Sequence, residues 1–61
     1  MVRPDDYLSP VVHQASGMVS VQLECSLREA VDRMVIRADA INLTLDDLSR
    51  LVVERTLRFG P

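Results

Sequence analysis

The sequence predicts an all-α fold: a compact three-helix bundle that pairs as a dimer. Three observations predict it. Helix-start signals stand at Ser9-Pro10, at Ser26 with Glu29, and at Thr44 with Asp46 and Asp47, and they cut the chain into segments of helical length. Within those segments apolar residues recur at steps of three and four, and no stretch alternates with period two. The chain has 61 residues, 48% of them hydrophobic, which is the composition of a folded domain at the small end of the range. Such domains usually need a disulfide, a metal or a partner chain. A single cysteine and a single histidine supply neither of the first two, so association is the remaining staple.

Residues 1–9 are expected to form a flexible N-terminal arm, since Met1–Leu8 holds Pro4, Asp5 and Asp6 without periodicity. The domain is expected over residues 10–59. The first helix should run from about Pro10 to Glu24, with Ser9 as its cap and proline at its first position. Cys25-Ser26 breaks it. Ser26 and Glu29 form a capping box for a second helix, from Leu27 to Ala40 or Ile41. After Asn42-Leu43, Thr44 caps a third helix whose first turn carries Asp46 and Asp47 at the positive end of the dipole. It should continue to about Leu57 or Arg58, before Gly60-Pro61.

The expected core stripes are Val11, Val12, Ala15, Val19 and Leu23 on the first helix, and Leu27, Ala30, Val31, Met34, Ala38 and Ile41 on the second. The third gives Leu45, Leu48, Leu51 and Val52. The first helix exceeds its stripe. Ser9 to Leu23 carries no formal charge, and Met18 and Val21 extend the apolar surface sideways. Loose packing of a long helix is one account; a subunit interface through Met18 and Val21 is the preferred one. Val35 and Ile36 also fall off the stripe of the second helix.

Several functions are excluded or disfavoured. No apolar run approaches the ~18 residues of a membrane span. No signal-peptide pattern opens the chain, and one free thiol fits the cytoplasm. No glycine-rich phosphate loop is present. A core this small leaves little room for a substrate pocket, and no enzyme is expected. His13 and Cys25 lie about 18 Å apart along the first helix at ~1.5 Å per residue, too far for a catalytic pair. Asp5-Asp6 and Asp46-Asp47 suit helix starts better than acid–base catalysis. Neither a metal site nor a cofactor is expected.

The net charge is −2, yet all seven basic residues are arginines, the better fork for phosphate and guanine edges. Arg28, Arg33 and Arg37 fall on the polar side of the second helix. Arg50, Arg55 and Arg58 gather toward the end of the third with Glu54 among them. These are either a solvated face or a phosphate-contacting footprint. Ser16 and Ser20 are expected on the outer side of the first helix with His13 and Gly17. A mid-helix Gly17 costs up to ~1 kcal/mol, which implies either a close backbone or a ligand beside it. The only rings, Tyr7 and Phe59, lie near the termini, so base stacking on aromatics has little support.

The order of motifs resembles the ANTAR domain, an RNA-binding module of bacterial transcription antiterminators. The resemblance spans Val12 to Phe59. Gln14-Ala15-Ser16-Gly17-Met18 is similar to the family's Ala-x-Gly-Met/Leu core, Ser26-x-x-Glu29-Ala30 to its second-helix start, and Thr44-Leu45-x-x-Leu48 to the start of its third. Ala38 matches a family alanine. The run from His13 to Leu23 and the ending Arg55-x-Leu57-Arg58-Phe59 look like the actinobacterial group attached to GAF sensor domains. The chain departs at Ser16 and Val35, where the family commonly has basic residues, and at Ser49, where it has alanine. The resemblance implies binding of paired stem-loops in a nascent transcript, so that a terminator hairpin does not form. It implies a homodimer serving two loops, and an attached or separate sensor domain. Arg33, Arg37 and Arg50, with Ser16 and Ser20, are the expected RNA contacts. The rival expectation is a small helical dimerisation module that binds no RNA.

Overall fold

The computed structural model describes residues 9–60 and contains three helices: α1 (Pro10–Leu23), α2 (Leu27–Ala40) and α3 (Leu45–Val53). The expected arm, Met1–Leu8, lies outside the described residues. Each helix starts on the hydroxyl that the sequence offers. Ser9 Oγ accepts from Val12 N–H at 3.4 Å, Ser26 Oγ from Glu29 N–H at 3.1 Å, and Thr44 Oγ1 from Asp47 N–H at 3.0 Å. Each satisfies an amide that the first helical turn would otherwise leave unpaired.

The helix ends share one geometry. Glu24, Asn42 and Arg55 have φ of 53°, 60° and 63°. After each, the chain closes back by two amide bonds. Cys25 N–H reaches Ser20 O at 3.0 Å and Glu24 N–H reaches Val21 O at 3.4 Å; Leu43 with Ala38, and Thr56 with Leu51, repeat the longer bond at 2.9 Å. These are Schellman closures with a non-glycine residue in the left-handed position.

The third closure corrects the expected length of α3. The helix stops at Val53, not at Leu57 or Arg58. Arg55 turns left-handed, and the chain doubles back to lay Leu57 and Phe59 against the bundle. The Phe59 ring is buried at 7% exposure and its N–H donates to Gln22 Oε1 at 2.9 Å. The next residue must be glycine, because Gly60 has φ +85° and a Cβ there would stand 2.9 Å from Gln22 O.

α1 packs most extensively on α3, then on α2, while α2 and α3 touch least. α1 and α3 run in the same direction. At their starts Ser9 Oγ donates to Asp46 Oδ1 at 3.0 Å, and at the far end Gln22 holds the segment after α3. The core is Val12, Ala15 and Val19 of α1, Ala30, Met34 and Ala38 of α2, Leu48 and Val52 of α3, and Phe59. Met34 is flanked on its helix by alanines, so α2 can lie close and the thioether fills the centre. The stripe ends Leu27 and Ile41 are exposed, because the bundle does not reach the tips of α2. Among the described residues no helix is long and apolar enough to cross a membrane.

Candidate nucleic-acid interface

The buried stripe of α2 fixes where its arginines stand. With Ala30, Met34 and Ala38 inward, Arg37 lies about 60° around the helix from the middle of the stripe and Arg33 about 100°. Both are exposed and one turn apart; Arg37 meets the C-terminal segment, and Arg33 stands near the α1–α2 turn. Their environments differ. Arg33 Nη2 is 4.0 Å from Glu29 Oε1, one turn earlier, in a solvent-exposed pair that contributes little. Arg37 has no carboxylate one turn away in either direction. Its guanidinium carbon lies 5.6 Å from the centroid of the Phe59 ring, in cation–π contact.

Arg50 does not join them. It is exposed on α3 nearly opposite the buried Leu48 and Val52, with Asp46 one turn before it and Glu54 one turn after. The spacing surrounds its charge with carboxylates, a poor setting for phosphate. The expected outer position of Ser16 is corrected. Ser16 is buried at 1% exposure, and its hydroxyl donates to His13 O at 2.7 Å, so it faces the core and offers nothing to a ligand. The cause is helical register: Ser16 follows Ala15 and is one turn from both Val12 and Val19, which are buried. Ser20 is half-buried, its hydroxyl donating to Gly17 O at 2.9 Å. Ser49, also buried, donates to Leu45 O at 2.7 Å, so both core hydroxyls are satisfied by their own helices.

Two arginines that the sequence left in a general cluster acquire a definite place. Arg55 and Arg58 border a groove of about 420 Å³ between the outer side of α1 and the segment after α3, whose floor includes Gly17, Met18, Val21 and Leu57. Val21 is 77% exposed and Met18 half-buried, so the two expected interface residues share one surface feature. Apart from its own helix, nothing among the described residues lies within 4 Å of where a Gly17 Cβ would be, so no other backbone among them accounts for that glycine. A second, smaller hollow of about 270 Å³ joins Cys25 to Glu24, Glu29 and Arg33 at the α1–α2 turn. Its acids outnumber its arginine, which disfavours an anion there. Among the described residues no three of His, Cys, Asp and Glu gather closely enough to hold a metal ion.

Sequence reasoning missed the role of Phe59, and with it the setting of Arg37. The signal was present in Gly60: a glycine just beyond an aromatic residue at the end of a helical stretch is also the mark of a chain folding back. No family model matches the chain, and no curated protein and no solved structure matches it.

Proposed function

We propose that this chain is an RNA-binding domain of the ANTAR kind, which holds paired stem-loops of a nascent transcript and thereby keeps a terminator hairpin from forming. The observation that carries the reading is Arg37. Its guanidinium lies over the Phe59 ring, with no carboxylate one turn away to neutralise it. A planar cation so held loses less entropy on meeting an unstacked base or a phosphate. Arg33, one turn away, adds a second positive charge on the same side. The linked motifs at Gly17-Met18, Ser26-x-x-Glu29-Ala30 and Thr44-Leu45 support the reading, and a cytoplasmic location goes with it. Ser16 drops out of the contact set, and Arg50 contributes less than the α2 pair. In this reading two copies serve two loops, and a sensor domain, attached or separate, controls access.

Titration of the chain against an RNA carrying two hexaloop hairpins tests it. Wild-type protein should bind, and Arg37→Ala should lose at least about fivefold in affinity, the equivalent of ~1 kcal/mol. Equal affinity of wild type, Arg33→Ala and Arg37→Ala would remove the proposed face.

A second reading, a helical self-association module without RNA, is favoured by one specific observation, the uncharged α1 face and its groove. Binding of the RNA by folded protein separates the two.

A further inference from the structure

An arginine that meets RNA has to be held in place without being neutralised. The other arginines of α2 and the one on α3 have acids within reach. Arg28 has Asp32 one turn after it, Arg33 lies 4.0 Å from Glu29, and Arg50 stands between Asp46 and Glu54. A carboxylate orients a guanidinium only by cancelling its charge. At Arg37 the orienting group is of another kind. No acid stands one turn away, and the guanidinium carbon lies 5.6 Å from the centroid of the Phe59 ring. A ring face attracts the cation through its quadrupole and leaves the net positive charge intact.

The ring itself is anchored away from α2. It packs into the core cluster, and the Phe59 N–H donates to Gln22 Oε1 of α1 at 2.9 Å. Gly60 follows with φ +85°, at a position where a Cβ would stand 2.9 Å from Gln22 O. These contacts seat the C-terminal segment on the end of α1. The stack therefore joins an arginine of one helix to a platform held by another. Arg37 remains exposed, so the contact does not shut it off from solvent.

We propose that Phe59 is a positioning residue of the RNA site: its ring restricts the Arg37 guanidinium and presents it, still charged, to the loop. The folded-back segment then belongs to the binding unit and does more than close the core. The proposal rests on the RNA reading for its use, and on the Arg37–Phe59 geometry for its cause.

A double-mutant cycle in RNA affinity tests it, with each protein held at a temperature where circular dichroism shows it folded. The two-hexaloop RNA is titrated with wild type, Phe59→Leu, Arg37→Ala and the double variant. Phe59→Leu keeps an apolar side chain in the core and removes the ring. It should lose about two- to fivefold in affinity, the equivalent of an exposed cation–π contact. Its salt dependence should match the wild type, because no charge is removed. In the Arg37→Ala background it should lose nothing further. An equal loss in both backgrounds, which a merely structural role would give, overturns the proposal. So does full affinity in Phe59→Leu. If Phe59→Leu does not fold, Gln22→Ala takes its place in the cycle. It removes the acceptor of the Phe59 N–H and should lose affinity only where Arg37 is present.

The NMR signals of the Arg37 side chain, recorded without RNA, keep this proposal apart from the RNA reading. An upfield ring-current shift of its methylene protons that vanishes in Phe59→Leu supports the placement, and its absence from the wild type overturns it. A folded wild type that shows the shift and binds no hairpin supports the placement while removing the RNA reading. Hairpin binding without coupling between Phe59 and Arg37 overturns the positioning role alone.

Discussion

The Arg37 guanidinium and the Phe59 ring lie 5.6 Å apart, and through them the outer face of α2 is coupled to the folded-back C-terminal segment. A residue whose position on a polar face suggests a free surface charge is also a packing residue. Arg37→Ala should therefore lower stability by about 0.5–1 kcal/mol, the usual worth of an exposed cation–π contact. Thermal melts of wild type and variant check this. Any loss of RNA affinity should be measured at a temperature where the variant is shown to be folded.

The folded-back segment depends on Gly60. Gly60→Ala puts a methyl group 2.9 Å from Gln22 O in a left-handed conformation, so Phe59 should be displaced. A cost of about 1–3 kcal/mol is expected from the strained backbone alone. Urea unfolding of Gly60→Ala beside Phe59→Ala checks it. Both should destabilise, Phe59→Ala by about 3 kcal/mol or more. A neutral Gly60→Ala would mean that the segment does not sit against α1.

Gly17 behaves in the opposite way. With nothing within 4 Å of its missing Cβ, Gly17→Ala meets no clash among the described residues and gains helix propensity of up to ~1 kcal/mol. The melting temperature of dilute, monomeric protein should rise. A fall would mean that another part of the chain packs against Gly17.

The Ser26 cap should be worth about 1 kcal/mol, since its hydroxyl takes the Glu29 amide at 3.1 Å. Ser26→Ala checks this by denaturant unfolding, and Ser26→Asp should recover most of the loss, because aspartate caps as well.

How much of this was legible depended on how local the cause was. Ser9, Ser26 and Thr44 are caps that act within one turn, and all three helix starts fell where those hydroxyls stand. The stripe centres Ala15, Ala30, Met34 and Leu48 followed from periodicity. The end of α3 was not legible, because Arg55 occupies a left-handed position that usually advertises itself with glycine. The burial of Ser16 is hidden by its polarity, which points outward, whereas its helical register lies next to Val12 and Val19. The setting of Arg37 depends on Phe59, 22 positions later in the sequence. No local pattern records a contact of that range.

The central claim is that two exposed arginines on α2, not a general positive field, carry RNA binding by an acidic chain. The affinity for a two-hexaloop RNA, measured across a range of salt concentrations, tests it most directly. Each phosphate contact on a single strand adds about 0.7 to the slope of log affinity against log salt. Two or three contacts per domain predict a shallow slope of about 1.5–2 for one domain on one loop, reduced further in Arg37→Ala. Absence of salt-sensitive binding by chain shown to be folded would contradict the claim and leave the self-association module in its place.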